Sequence, residues 1–307
     1  MALRPFSAYH LAFEPEGWTM TILVTGSTGT VGSQVVQGLA AEGAQVRALA
    51  RDTSKLQVLA NVEPVRGDMT DVTAIRAALK GVDTLFLLNA VAADETTQAL
   101  IMLNLAREVG IQRIVYFSVF NSALFDDVPH FASKHIVELV IDAQALPATV
   151  LRPNYFMQND LMFRDALKAG VYPQPIGSRG VAMVDVRDIA EAAVAELLRR
   201  ERAPHPLPRN TIELIGPHTL TGEDVAAIWA SVVGHEVRYG GDDLAAFETQ
   251  AAQMMPGWMA YDLRMMLRAF HRFGLIPSND SRATLEGLIG HPLRSYRAFA
   301  EEAAAGW

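Results

Sequence analysis

The run Thr21-Ile-Leu-Val-Thr-Gly26-Ser-Thr-Gly29-Thr-Val-Gly32 decides the fold. Thr21 to Thr25 is a short stretch of β-formers that reads as a buried strand. Three glycines spaced by three follow, and Ser33-Gln-Val-Val-Gln-Gly-Leu-Ala-Ala continues as an apolar-periodic helix. A strand, a glycine turn and a helix start in that order make a seat for a diphosphate. Gly26 permits the tight turn, Gly29 removes a side chain where backbone must approach phosphate, and Gly32 lets the helix pack close to the sheet. The N–H groups and dipole of the helix start then face the anion. Gly26, Ser27, Thr28, Gly29, Thr30, Val31 and Gly32 are therefore the expected diphosphate loop of a bound dinucleotide. The competing reading of a glycine triplet is a tight turn with no ligand.

On either side of this unit the first half of the chain alternates strand and helix. Strands are expected at 21–25, 45–50, 62–66, 84–88, 113–118 and 148–151. Helices are expected at 31–41, 54–59, 72–79, 94–108 and 133–143. This rhythm predicts an α/β fold, a doubly wound parallel sheet with helices on both faces and the ligand crevice at the carboxyl ends of the strands. After about residue 155 the pattern breaks. Pro173, Pro175, Gly177 and Gly180 mark irregular connections, and Ala203-Pro-His-Pro-Leu-Pro is a stiff loop. Helices are expected at 186–199, 221–233, 244–255, 258–273 and 293–304, with one strand at 210–215. Thr219 or Thr221 is placed to cap the second of these helices. We divide the chain into an extension (1–19), a dinucleotide-binding Rossmann domain (20–155) and a smaller C-terminal α/β substrate lobe (156–307) that returns a strand to the main sheet.

Composition narrows the function. A net charge of −8 argues against a nucleic-acid partner, which wants a basic surface. The 307-residue chain has no cysteine, so disulfides, thiolate nucleophiles and Cys-type zinc sites are excluded, and no metal site is expected. No apolar run reaches the roughly 18 residues of a membrane helix, and residues 1–19 make a poor signal peptide. A cytoplasmic location is expected. Residues 1–19 read either as an over-long start or as an arm that packs on the surface or on a partner.

The second strand ends at Ala48-Leu-Ala-Arg51-Asp52. An acid near this point bonds the ribose hydroxyls of NAD, whereas a cation accepts the 2′-phosphate of NADP. Arg51 offers a planar donor fork suited to phosphate, and Asp52 reads as the cap of Thr53-Ser-Lys-Leu. NADP(H) is thus favoured over NAD(H), with a solvated surface cation as the bland reading of Arg51. Asp68 could accept from the adenine amino group with Met69 beside the base, or Asp68 could cap the next helix. Asn89 ends the fourth strand and should border the ribose side of the crevice.

Several segments together resemble one family. They are Thr25-Gly-Ser-Thr-Gly-Thr-Val-Gly32, Val46-Arg-Ala-Leu-Ala-Arg51-Asp52, Gly67-Asp-Met69, Leu151-Arg-Pro-Asn-Tyr-Phe-Met-Gln-Asn159, Val184-Asp-Val-Arg-Asp188 and Gly290-His-Pro-Leu-Arg-Ser-Tyr296. The chain is similar to NmrA-like atypical short-chain dehydrogenase/reductases across roughly residues 20–300. That family includes NADPH-dependent quinone and dye reductases as well as NADP-sensing regulators that catalyse nothing. Ordinary short-chain dehydrogenases use Tyr-x-x-x-Lys, in which the tyrosine protonates a carbonyl and the lysine holds the nicotinamide ribose. The matching stretch here is His130-Phe-Ala-Ser-Lys134, with both ends on one helical face. Lys134 fits the lysine, but His130 stands in the tyrosine position. It could donate a proton, shape the pocket or start the helix after Pro129. By the same resemblance Ser118 falls at the substrate-side serine, where it would orient a substrate oxygen or satisfy local backbone. Asn154, Tyr155 and Phe156 would flank the nicotinamide and the substrate entrance, or form a tight loop serving the core. His135 is expected on the surface.

Met254, Met255, Trp258, Met259, Met265, Met266 and Phe270 suit an adaptable apolar pocket, although at helical spacing such residues more often form plain core. These readings converge on an NADPH-dependent oxidoreductase that passes hydride to a small apolar acceptor such as a quinone or conjugated carbonyl. Such an enzyme would take a small-molecule substrate, with a homodimer as a general prior. The alternative is a non-enzymatic NADP(H) sensor that presents a changed surface to a protein partner.

Overall fold

A computed structural model describes residues 20–307. The expected extension 1–19 lies outside the described residues. The main sheet has seven strands, all parallel: β1 (Thr21–Val24), β2 (Gln45–Ala50), β3 (Val62–Arg66), β4 (Thr84–Leu87), β5 (Arg113–Phe117), β6 (Ala148–Pro153) and β8 (Asn210–Leu214). Their spatial order is β3-β2-β1-β4-β5-β6-β8. The order reverses between β1 and β4, so the ligand crevice of a doubly wound sheet opens there.

Alternation along the strands builds two cores. Ile22, Val24, Phe86, Val115 and Phe117 face one way into the larger apolar cluster. Leu23, Leu85, Leu87, Ile114 and Tyr116 face the other way into a second cluster. A strand buried on both faces must be apolar at every position, and all four residues of β4 are buried. The first face is covered by α1 (Thr30–Ala41) and α6 (Val186–Arg202). The second is covered by α2 (Val72–Leu79), α3 (Glu95–Glu108) and α4 (Pro129–Ala143).

The chain after residue 156 therefore contributes β8 and α6 to the main layer. Its other helices stand over the carboxyl ends of the strands or pack beside them. They are α5 (Arg164–Lys168), α7 (Gly222–Val233), α8 (Leu244–Ala251), α9 (Gly257–Phe273), α10 (Ser281–Ile289) and α11 (Tyr296–Ala305). A two-strand ribbon, β7 (Val171–Tyr172) with β9 (Arg238–Tyr239), completes the lobe. Among the described residues no helix is long and apolar enough to cross a membrane.

The expected elements recur with several differences: α5, β7 and β9 are additions, α4 starts at Pro129 rather than 133, and α11 starts at Tyr296 rather than 293. The helix expected at 54–59 is a single 3-10 turn, Thr53–Lys55, with nothing buried. Asp52 caps it by accepting from the Ser54 N–H at 3.1 Å, and Val58 stands exposed. Helix α8 stops at Ala251, short of Met255. Helix α10 was not expected, because Gly287 interrupts its pattern. His135 is half-buried, and its Nδ1 has no hydrogen-bond partner among the described residues. Of the two threonines placed to cap α7, Thr221 does so, in a capping box with Asp224.

Strand β3 lies at one edge of the sheet, with Pro64 opposite Ala48. The N–H of Gly67 donates to the Ala50 carbonyl of β2 at 3.0 Å. Strand alternation then aims the even-numbered backbone groups of β3, Pro64 among them, away from the sheet.

Phe86 sits at the centre of the larger core, fully buried, with its ring edge-on to Phe117 at 6.2 Å. Phe86→Ala removes a whole ring from close-packed surroundings. We expect a loss of about 3–5 kcal/mol, read from the urea unfolding midpoint.

Candidate functional site

The glycine turn is shaped by close backbone approach. Gly26 has φ +63°, in the left-handed region, and a Cβ there would meet Leu88 Cδ2 at 2.4 Å. A Cβ on Gly32 would stand 2.1 Å from the Gly26 carbonyl oxygen. The tight contact made by Gly32 is thus with the turn itself. Gly29 meets only the Gly26 oxygen, at 3.3 Å, leaving its outer side open. Helix α1 starts at this point with no side-chain cap and no acidic residue in its first turn. Its orphan N–H groups and positive dipole end remain available to an anion. Ser27 points elsewhere, donating to the Leu49 carbonyl at 2.7 Å, while Thr28 and Thr30 are exposed.

A cavity of about 700 Å³ begins at this turn and runs beneath the C-terminal lobe. It brings together Gly29 to Gly32, Asn89, Ser118, His130, Lys134 and Asn154 to Phe156 from the expected site. Gly26, Ser27, Thr28, Arg51, Asp68 and Met69 are not in its lining. Arg51 is exposed beyond the end of β2, near enough to Asp68 for its charge to help hold that carboxyl below the ordinary value. The larger cause is the Thr70 hydroxyl, which donates to Asp68 at 2.6 Å, followed by the Thr70 N–H at 2.9 Å. Asp68 thus closes a local turn, and the cap of α2 is Asp71. Asn89 is buried, its Oδ1 unpartnered among the described residues and its Nδ2 3.7 Å from the Met69 sulfur.

On α4, Lys134 and His130 stand one turn apart and both line the cavity. Lys134 Nζ lies 3.9 Å from Glu95 Oε1, and both side chains are buried. Burial pushes the lysine down and the carboxyl up, and the attraction between them opposes both shifts. Glu95 Oε2 has no hydrogen-bond partner among the described residues. His130 is held by Asp262 of α9, a wholly buried carboxylate. One Asp262 oxygen contacts His130 Nδ1, and the other accepts the His130 backbone N–H at 2.9 Å.

Ser118 is buried and donates its hydroxyl to Glu138. The same carboxylate accepts from Ser122 Oγ at 3.1 Å and from the Arg152 guanidinium. Asn154 joins the sheet to the lobe: its Nδ2 donates to the Leu275 carbonyl at 3.0 Å, and its Oδ1 accepts from the Tyr155 N–H at 2.8 Å. The Tyr155 hydroxyl accepts from Gln174 Nε2 at 2.8 Å. Burial raises the Tyr155 phenol far above its ordinary value, and the charge of Asp160 adds to the shift. Phe156 packs on Phe117 and bridges to Val184. At the lobe end of the cavity the lining is apolar, with Phe247, Met254, Met255, Leu263, Met266 and Phe270. Met265 is core, and Trp258 is exposed.

The closing motif Gly290–Tyr296 clasps the lobe. The Arg294 N–H donates to Asp188 at 2.9 Å, and its guanidinium reaches Asp188 and Glu191 of α6. His291 also meets Glu191, at 2.6 Å, so Asp188, Glu191 and His291 gather within 4.8 Å of one another. Arg294 already bonds both carboxylates of that cluster. Tyr296 donates to the buried Asp160, which also accepts from Tyr172 at 3.1 Å.

The NmrA-like family model matches residues 19–292. The chain belongs to that family. Its curated relatives include an NAD(P)H azoreductase from Xenophilus azovorans, 29% identical over 294 residues that span 93% of this chain and 99% of that protein. Among solved structures, the NADPH-dependent quinone oxidoreductase QOR2 of Escherichia coli, complexed with NADPH, superposes with TM-score 0.79. It is 25% identical, over 93% of this chain and 99% of that one. NmrA, a negative transcriptional regulator, shares the fold with TM-score 0.74 at 20% identity, over 94% and 99% of the two chains.

Asp262, Glu95, Glu138, Gln174 and Asp160 escaped the sequence reading. Two had a signal. Asp262 shares a stripe with Met266 and Ala269 of α9, and Glu138 shares one with Phe131 and Lys134 of α4. A charge on a buried helical face needs a partner.

Burial pushes the Asp160 carboxyl up to about 7, against the hydrogen bonds from Tyr296 and Tyr172 that lower it. An unfolded aspartate ionises near about 3.9. Between those values the folded chain holds the extra proton, so stability falls as pH rises and levels off above the folded pKa. Wild type should resist urea better at about pH 5 than at about pH 8, and Asp160→Asn should shrink that difference. An unchanged difference in the variant would show that Asp160 is not its source.

Proposed function

We propose that this chain is an oxidoreductase that binds NADPH across the switch point and reduces a flat, apolar acceptor, of the quinone or conjugated-carbonyl class, under the lobe. The observation that carries the reading is the cavity itself. It runs unbroken from an uncapped helix start, through the His130 and Lys134 face, to a wall of methionine and phenylalanine. An anion-binding end joined to an apolar end fits a cofactor and its hydride acceptor in one enclosure.

The residues fit such a cofactor. The open side of Gly29 and the free N–H groups of α1 would take the diphosphate. Arg51, exposed beyond β2, would take the 2′-phosphate. Asp68 and Met69 would flank the adenine. The unpartnered amide oxygen of Asn89 would meet a ribose hydroxyl. Lys134 would hold the nicotinamide ribose, with Asn154 to Phe156 beside the ring. When bound, NADPH supplies the hydride. The protein aligns donor and acceptor and excludes water. The azoreductase and quinone oxidoreductase relatives support this chemistry.

A second reading has one observation in its favour. His130 replaces the tyrosine of ordinary short-chain dehydrogenases, and a chain that only senses NADP(H) has no need of that tyrosine. The two readings part on one assay. Purified protein with NADPH and a panel of quinones and conjugated carbonyls should consume reduced nicotinamide faster than the uncatalysed mixture. Tight cofactor binding with no turnover across the panel would identify a sensor.

Arg51 gives a separate test of cofactor choice. Arg51→Ala should weaken NADPH by about tenfold or more and leave NADH nearly unaffected, measured by calorimetry. Equal losses for both would remove the phosphate role.

A further inference from the structure

We propose that His130 and Asp262 form a proton-delivery dyad, with Asp262 as the positioning residue. The inference rests on the oxidoreductase reading and goes beyond it by widening the range of acceptors the site can serve. The added acceptors are those whose reduced atom is a strong base, such as an azo or imine nitrogen or a simple carbonyl oxygen.

Geometry carries the argument. His130 lines the cavity, with its side chain only 10% exposed. Its backbone N–H and its Nδ1 are both taken by Asp262, from the opposite lobe. A carboxylate accepts, so Nδ1 carries a hydrogen, and Nε2 is the ring nitrogen left to the cavity. The Phe131 ring, edge-on at 4.6 Å, limits rotation of the imidazole. The ring is therefore fixed by two anchors and a wall.

The charges facing it come from three helices. Asp262 on α9 is in contact, Lys134 stands one turn away on α4, and Glu95 on α3 lies close enough for its charge to be felt. Lys134 and Glu95 offset one another, which leaves Asp262 as the partner of an imidazolium.

Hydride arrives at one atom of the acceptor double bond, and the π pair moves to the other atom. That atom bonds the Nε2 proton of the imidazolium as the Nε2–H bond breaks, which leaves a neutral ring protonated on Nδ1, and Nε2 takes its next proton from solvent. The reductant is the reduced nicotinamide cofactor. A quinone gains little from this device, because its reduced anion is stabilised enough to take a proton from water. An azo, imine or simple carbonyl acceptor would otherwise develop a strongly basic atom under the lobe, and general acid catalysis answers that need.

The test compares two acceptor classes and adds a spectroscopic readout. In His130→Gln, turnover of an azo dye with NADPH should fall about 100- to 10,000-fold, and that of a benzoquinone by less than about tenfold. Asp262→Asn should lower azo turnover through kcat rather than KM, and Asp262→Glu should recover part of the loss. Nitrogen-15 NMR of the histidine-labelled wild-type protein should show neutral His130 protonated on Nδ1, with that preference lost in Asp262→Asn. Equal losses for both acceptors in His130→Gln, or neutral His130 protonated on Nε2 in wild type, would reduce the pair to a latch between lobes. Wild-type protein that takes up no NADPH in calorimetry would instead overturn the oxidoreductase reading on which the dyad rests.

Discussion

The contact between Gly32 and the carbonyl oxygen of Gly26 sets the closeness on which the head of the sheet depends. No side chain fits between them, since even a Cβ would lie at 2.1 Å. Helix α1 can therefore begin directly off the end of β1, with its first N–H groups at the mouth of the switch-point crevice. Thr25 braces the turn from the other side: its hydroxyl accepts the Leu88 N–H at 2.8 Å and donates to the Leu88 carbonyl at 2.9 Å. Beyond this clamp the chain leaves β1 for α1 on one face of the sheet and β4 for α3 on the other. The gap between these exits is where the cavity starts.

The rest of the cavity is made by attachment of the lobe, and polar groups make those attachments. Asn154 holds the Leu275 carbonyl, Arg294 holds Asp188 and Glu191, and Tyr296 holds Asp160. Apolar packing alone would permit many nearby lobe positions. Directional bonds between buried groups permit few, because a misplaced lobe leaves desolvated donors and acceptors unpaired. Two of the segments that carry the family resemblance, Leu151–Asn159 and Gly290–Tyr296, supply many of these fasteners. Their distinctiveness reflects the joining of two lobes as much as any chemistry.

The sheet was legible because strands buried on both faces leave an unbroken apolar trace, and because the glycine run marks its own place in the topology. The strands from 45–50 and 62–66 stand at their expected bounds. The segment at 54–59 misled because Leu56 and Leu59 have helical spacing, yet no helix follows the Asp52 cap. Helix α10 hid behind Gly287, and β7 and β9, at two residues each, are too short for periodicity to register. At the site, residues carried by the first half of the fold could be placed from sequence alone. The partners that complete their chemistry could not. Asp262 lies 132 positions from His130 and Gln174 lies 19 from Tyr155, and only tertiary structure brings such pairs together. Met265 and Met266 are both buried in the larger core, and of the two only Met266 also lines the cavity.

Pro64 sits mid-strand at the β3 border of the sheet, where the backbone faces outward and a proline has no hydrogen to offer. An approaching foreign strand would find acceptors there with a gap in the row of donors, beside the charged side chains of Glu63 and Arg66. Ladder-wise polymerisation is blunted along that flank.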